Sequence, residues 1–297
     1  QPVNANITVD TVLSAAGGPW FFPGKTIVQK QAALSIEAGA MVYFGADAQL
    51  EVRGRLTISG DPDRPATLTT PPGTSHRWHG IRWIDSTQPN KLSHVNISFV
   101  AADTAAMRVE NSRLELSGVA FRDLLGSALG FSNSALVASD CSFEVSATSA
   151  GAAVPIVTGS GFAGDNPVVF RGNRFSAIDR AAPVFVFDGQ GQLGAWFELR
   201  GNRFSGGARE ALELSGCNSF LWENRFQNFR HPDHRPSGRR QFQSAAPRLA
   251  LGQAQCWRAT GLARRTSPCA SRAACRWRRT TTGSPTAPSA LQSLPAF

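Results

Sequence analysis

A short phrase that ends in phenylalanine recurs along most of the chain, as in two copies of Gly-Asn-Arg-Phe. The phenylalanines that close these phrases lie 22 to 32 residues apart: Phe99, Phe121, Phe143, Phe175, Phe204 and Phe226. Repeats of this length are typical of solenoids, in which each repeat buries its apolar face only by stacking on its neighbours. The series therefore predicts a stack of repeats with a column of aromatic rings in its interior.

The segments between these phrases have the pattern of short β-strands. Leu34-Ser35-Ile36 and Leu56-Thr57-Ile58 alternate apolar and polar residues, and Gly, Asp or Pro turns separate such segments. No stretch has the helical period that the crossovers of a doubly wound sheet require. The sequence therefore predicts an all-β solenoid, a parallel β-helix at residues 20–229, preceded by a lead-in or N-terminal cap at 1–19.

Turn-prone residues recur at fixed positions before the phenylalanines. Most residues three positions before each ring tolerate a left-handed backbone: Asn96, Gly118, Asp140, Gly172, Gly201 and Glu223. Asn173, Asn202 and Asn224 share the next register, where stacked amides can hydrogen-bond to their copies. We therefore expect an asparagine ladder beside the aromatic column. The longer intervals predict loops near residues 146–164 and 188–195.

The N-terminal part of the chain supports a resemblance to a known family. The stretches at 34–44, 50–58 and 61–68, followed by Trp78-His79-Gly80-Ile81, resemble right-handed parallel β-helix repeat proteins of bacterial origin, with a pectate-lyase-like fold. The resemblance implies that the predicted β-helix is right-handed and that the protein is extracellular or at the cell surface. It does not choose between lyases, epimerases, glycosidases, adhesins and structural domains, because this fold hosts all of them.

Positive charge is concentrated in a C-terminal tail. The formal net charge is +9, but residues 230–297 hold 12 of the 30 basic residues and one acid, Asp233. The body, with 18 basic and 20 acidic residues, is slightly acidic. The tail has no Ile, Val or Asn and no strand or helix period. It is either a disordered basic arm or a non-native segment read in a shifted frame, and the abrupt end of the repeat after Phe226 favours the second.

The sequence predicts no metal, cofactor, nucleic-acid partner or membrane-spanning helix. Cys141 occupies an apolar repeat position, Cys217 follows a turn, and the three tail cysteines fit no zinc spacing. The histidines of residues 75–79 have no acid close by, and no acidic cluster supports a Ca²⁺ site. A nucleic-acid function would depend on the tail alone. No apolar run reaches the roughly 20 residues that span a bilayer.

Three carboxylates are the candidates for catalysis, because glycosidases use two facing carboxyl groups. Asp188 and Glu210 lie 22 residues apart, and Glu213 follows closely. Solvated surface acids are the alternative. Related β-helix domains carry an Asp-Asp-Ala-Leu-Asp-Leu-Asp-Gly-like segment, and the matching residues 209–216 have lost acids, which argues against a metal or catalytic role there.

Three arginines are the candidates for ligand binding. Arg174, Arg203 and Arg225 share one register, so they could line a strip that attracts an anionic glycan. The alternative is an ordinary solubilising row, and Glu198 and Glu223 are close enough in sequence to pair with it. Several aromatic residues are further candidates, as platforms for sugar rings or as core residues: Trp20, Phe21, Phe22, Trp83 and Trp196.

These observations favour a structural and binding module at the cell surface, with a polysaccharide as the expected partner. The alternative is a polysaccharide lyase, epimerase or glycosidase of the β-helix type. We expect a monomer or a part of a larger multidomain chain.

Overall fold

The computed structural model describes residues 1–145, 154–177, 182–206 and 211–229, and as backbone alone residues 242–243 and 255–259. The described residues form 26 β-strands and no helix. In chain order the strands are β1 (Asn6–Ile7), β2 (Thr11–Leu13), β3 (Trp20–Phe22), β4 (Thr26–Val28), β5 (Ala33–Glu37), β6 (Met41–Phe44), β7 (Leu50–Val52), β8 (Arg55–Ser59), β9 (Ala66–Thr69), β10 (Ile81–Ile84), β11 (Asn90–Ser93), β12 (Val95–Ser98), β13 (Ala101–Glu110), β14 (Arg113–Ser117), β15 (Ala120–Arg122), β16 (Leu125–Ser139), β17 (Ser142–Glu144), β18 (Val157–Phe162), β19 (Val168–Arg171), β20 (Arg174–Ser176), β21 (Phe185–Arg200), β22 (Arg203–Ser205), β23 (Leu212–Trp222), β24 (Arg225–Gln227), β25 (Phe242–Gln243) and β26 (Gln255–Ala259).

The strands form a parallel β-solenoid with three faces. Face 1 begins β1-β4-β7-β10-β13, and face 2 begins β2-β5-β8-β11-β14; long strands such as β16 turn the corner between the two faces. Face 3 is the separate sheet β3-β6-β9-β12-β15-β17-β20-β22-β24, whose nine parallel strands define about eight turns. The predicted all-β parallel solenoid is therefore confirmed.

Pairing starts earlier in the chain than the sequence predicted. Residues 1–19, interpreted as a lead-in, contain β1 and β2, which pair in parallel with β4 and β5. At the other end, β25 and β26 pair antiparallel with β24 and β23. The remainder of the tail at 230–297 lies outside the described residues. Among the described residues, no helix has the length and apolarity needed to cross a membrane.

The corner between faces 2 and 3 is built by residues in the left-handed region. One such residue occurs in each of six successive coils, with φ between 47° and 66°: His94, Gly118, Asp140, Gly172, Gly201 and Glu223. Five of these positions were predicted, but the bend assigned to Asn96 is at His94. Adding a Cβ to Gly118 would bring it 2.6 Å from Nδ1 of His94, so this corner also requires close packing.

Five of the six phenylalanines form one internal column: Phe121, Phe143, Phe175, Phe204 and Phe226. Neighbouring ring centroids are 4.6–5.0 Å apart and their planes lie within 16° of parallel. The rings are buried, except that Phe226 in the last coil is partly buried. The column belongs to face 3 and spans five successive coils.

The placement of Phe99 in this series is wrong. Ile97, not Phe99, pairs in register with Phe121. Phe99 lies two residues further on, at the next corner, with φ of 57° and a side chain that is 41% exposed. Asp123 has the equivalent position and a φ of 51° in the following coil. The 22-residue interval was therefore a coincidence of spacing, because these two coils are offset by 24 residues.

Two further ladders satisfy buried polar groups. Oδ1 of Asn202 accepts hydrogen bonds from the backbone N–H and from Nδ2 of Asn173. In the next coil, Oδ1 of Asn224 accepts hydrogen bonds from the backbone N–H and from Nδ2 of Asn202. A serine ladder that no sequence pattern predicted lies at the corner of faces 1 and 2. There the N–H of Ser86 donates to Ser112, and the N–H of Ser112 donates to Ser134. Both ladders fix corners rather than strands.

We predict that Phe143→Ala destabilises the protein by about 3–5 kcal/mol, because it opens a cavity between two stacked rings. Phe99→Ala removes an exposed ring and should cost less than about 1 kcal/mol. Urea unfolding followed by circular dichroism measures both. Equal losses of unfolding free energy in the two variants would contradict the placement of Phe143 in the interior and of Phe99 at an exposed corner.

We predict that Asn202→Ala costs about 3 kcal/mol or more, since it orphans two donors of Asn173 and each buried orphan costs about 1–3 kcal/mol. Asn96→Ala is the matched control, because Asn96 is only partly buried and its side chain makes no hydrogen bond to another described residue. The same urea titration applies. A loss at position 202 no larger than at position 96 would show that the ladder does not stabilise the stack.

Candidate functional site

Arg174, Arg203 and Arg225 lie in one row on the outside of face 3. Arg174 pairs in register with Arg203, and Arg203 with Arg225. Their side chains point away from the core, because the phenylalanine that follows each arginine points inward and side chains alternate along a strand. Successive coils are about 4.8 Å apart. We call this row of three residues the arginine stripe.

The arginine stripe has no ion-pair partner among the described residues. Glu198 was expected to be close enough to pair with it, but this carboxylate lies 2.9 Å from Nε of Arg171. Glu223 lies 4.0 Å from Nε of Arg200. The hydrogen bond and charge of Glu198 raise the pKa of Arg171 above its ordinary value. The two described acids therefore lie beside the neighbouring arginine row rather than beside the stripe.

The corner between faces 2 and 3 explains why Glu198 lies beside Arg171 and not beside the arginine stripe. Arg171 and Arg200 are in register at the end of face 2, before the bend. Arg174 and Arg203 follow three residues later, after the bend, and the buried Asn173 and Asn202 hold that bend rigid. The two rows therefore point in different directions. Glu198 also lies on face 2, so it faces the first row.

A second polar row runs beside the arginine stripe on face 3. Ser176, Ser205 and Gln227 are in register, and each lies two residues after an arginine of the stripe. Because the side chains of residues i and i+2 point to the same side of a strand, these groups share the stripe's surface. Each of the last three coils thus presents one guanidinium and one hydroxyl or amide group. Such a repeating pair suits a polymer with a regular alternation of carboxylate and hydroxyl groups.

Basic side chains on face 1 form ion pairs with two carboxylates. Glu51, only 2% exposed, accepts from Nζ of Lys25 at 2.7 Å and from Nε of Arg53 at 2.6 Å. Burial alone would raise the pKa of Glu51, but these hydrogen bonds and charges outweigh it, so the pKa lies below its ordinary 4.5. Glu110 pairs in the same way with Arg82 and Arg108, and its pKa is also below its ordinary value. Face 1 therefore offers an anionic ligand far less free charge than the stripe does.

The catalytic candidates Asp188 and Glu213 do not lie directly opposite each other on adjacent coils. Asp188 is in register with Ser215, and Glu213 with Val186, so the two acids are diagonal neighbours on adjacent coils. Asp188 accepts a hydrogen bond from the N–H of Gln190, two residues later in the turn. Glu210 lies outside the described residues. The enzymatic hypothesis stays a prediction.

No group of three or more His, Cys, Asp or Glu side chains in the described part of the chain is arranged to hold a metal. Nε2 of His79 lies 3.2 Å from Asp47, and a ring nitrogen of His76 lies 3.1 Å from the carbonyl of Phe44. Cys141 is buried, and burial raises the pKa of its thiol to about 12. This thiol therefore stays protonated and acts as a small core residue.

Exposed aromatic side chains are concentrated in the last two coils. Trp196, Phe220 and Trp222 on face 2 are 39%, 42% and 48% exposed, and we call them the aromatic patch. Of the aromatic residues that the sequence suggested as sugar platforms, Phe22 and Trp83 are core residues instead. The sequence analysis did not include Phe220 and Trp222, which lie at outward positions in register with Glu198 and Arg200.

A scan against models of protein families found no match for this chain, and neither a search of characterised proteins nor a search of solved structures found one.

We predict that Glu51→Gln destabilises the protein by about 2 kcal/mol at pH 7, because two charge-assisted hydrogen bonds are weakened. The folded-state pKa is below 4.5, so this carboxylate stabilises the fold above that pH and loses its effect as the pH falls through the lowered value. Urea unfolding of both proteins between pH 7 and pH 3 should therefore show a difference that shrinks below pH 4.5. Glu115→Gln, in an exposed pair with Lys91, should change little at any pH. A constant difference across this range would contradict the charge-based account.

Proposed function

We propose that the protein is an extracellular or cell-surface binding module that holds an extended acidic polysaccharide along the arginine stripe. The observation that carries this proposal is that Arg174, Arg203 and Arg225 have no ion-pair partner among the described residues, whereas the neighbouring Arg171 and Arg200 lie beside Glu198 and Glu223. An arginine guanidinium binds a carboxylate through two parallel hydrogen bonds, which gives direction as well as charge.

The solenoid suits an extended ligand because its binding groups repeat along the axis. Backbone hydrogen bonds between coils and the amide ladder hold the stripe in place before any ligand arrives. Little backbone freedom is then lost on binding, and preorganised sites keep more of their interaction free energy. A flexible arm with the same three arginines would lose much of that advantage.

We predict that the triple variant Arg174→Gln, Arg203→Gln and Arg225→Gln binds polygalacturonate at least about tenfold more weakly at low salt, since three contacts of about 0.5 kcal/mol each correspond to that factor. The wild type should not bind neutral dextran, and its affinity for the polyuronate should fall as NaCl is added. Isothermal titration calorimetry on the full chain measures each case.

The control keeps the basic tail and removes the same charge elsewhere. Lys30→Gln, Arg55→Gln and Arg113→Gln are exposed substitutions away from the stripe, so the affinity should stay within about twofold. Equal losses in the two triple variants would mean that net charge, not the stripe, sets the affinity. Tighter binding of a single-stranded DNA oligonucleotide than of polygalacturonate would overturn the assignment to polysaccharide.

A further inference from the structure

We infer that the aromatic patch is a second contact surface for the polymer held by the arginine stripe, and that the ligand is therefore a chain of pyranose rings bearing carboxylates. This inference rests on the proposed function and narrows it from an acidic polymer to a polyuronate. It gives a role to Trp196, Phe220 and Trp222, which are not part of the arginine stripe.

The aromatic patch lies at the end of a row of polar side chains on face 2. Outward positions at the end of face 2 hold serine in successive coils at Ser93, Ser117 and Ser139, and the same row then continues as Arg171, Arg200 and Trp222. The adjacent row, which contains Glu198, ends at Phe220. The exposed aromatic rings of face 2 therefore lie in the two coils that carry Arg203 and Arg225.

Each ring of the patch has a polar neighbour on the adjoining coil. Trp196 is in register with Asn218, Phe220 with Glu198, and Trp222 with Arg200. The guanidinium of Arg200 lies 5.8 Å from the ring centroid of Trp222. Trp196 and Phe220 meet edge to face at 6.5 Å.

Alternation of aromatic faces and polar groups matches a sugar ring better than a protein partner. A pyranose presents an apolar C–H face and a rim of hydroxyl groups, so it needs an aromatic surface edged by hydrogen-bonding side chains. The core of a protein–protein interface is instead depleted of charged residues. Charged Glu198 lies among these rings, in register with Phe220.

The patch and the stripe adjoin across a single bend. In the last coil Trp222 and Arg225 are three residues apart, and Glu223 in the left-handed conformation turns the chain between them. Arg200 and Arg203 have the same relation one coil earlier. A sugar unit at this corner can therefore stack on face 2 while its carboxylate reaches face 3.

The test compares two carboxylated polymers that differ in their sugar rings. Full-length wild type, the double variant Phe220→Ala with Trp222→Ala, and the arginine triple variant are titrated with polygalacturonate and with poly-L-glutamate. We expect the aromatic variant to bind polygalacturonate about tenfold more weakly and poly-L-glutamate within about twofold of wild type. The arginine variant should bind both polymers more weakly.

Phe99→Ala is the matched control, since Phe99 is an exposed ring with its own guanidinium, that of Arg77, 5.7 Å away. It should leave both affinities unchanged. The aromatic contribution should also persist at NaCl concentrations that screen the arginines. Equal urea midpoints for the aromatic variant and wild type exclude unfolding as the cause of a loss.

The outcomes separate the two proposals. If the aromatic variant binds polygalacturonate as wild type does while the arginine variant is weakened, the polyuronate inference is overturned and the proposed function stands. Equal weakening of the aromatic variant toward both polymers also overturns the inference, because the rings would then not recognise the sugar. If the arginine variant binds both polymers as wild type does, both proposals are overturned.

Discussion

Parallel backbone pairing between successive coils is the constraint on which the rest of this structure depends. Once β20, β22 and β24 are in register, every side-chain position becomes a row with a spacing of about 4.8 Å. A residue type that is favourable in one coil must then be compatible with its copies above and below. Phenylalanine and asparagine meet that condition inside the stack, since flat rings stack and amides both donate and accept hydrogen bonds.

Corners require more from the sequence than strands do. A strand position accepts many apolar side chains, but the bend between faces 2 and 3 needs a left-handed residue and an acceptor for the preceding coil's backbone N–H. Gly201 with Asn202 meets both needs in two residues. Asp140 forms the same bend, and the N–H of Cys141 after it donates to Asn173 of the next coil. The asparagine side chain thus serves the coil before its own.

The sequence predicted the rows that a repeated phrase marks and failed at the coil that contains Phe99. Phe121 to Phe226, the asparagine ladder and five of six bends follow from residue type and interval alone. Phe99 was misplaced because its coil is offset from the next by 24 residues, which no local pattern marks. The partners of Glu198 could not be predicted either, because an ion pair depends on which side of the corner each charge lies.

Like charges stacked at the spacing of the coils repel each other, so an unpaired arginine row has an electrostatic cost. Two unit charges 4 Å apart in water repel by about 1 kcal/mol, and more where the solvent is partly excluded. Arg171 and Arg200 avoid this cost through Glu198 and Glu223. Glu198 and Glu223 are close in sequence to Arg203 and Arg225, yet they lie beside Arg171 and Arg200 on the other side of the corner. A polymer that carries one carboxylate per unit along the axis would replace that repulsion with attraction at each coil.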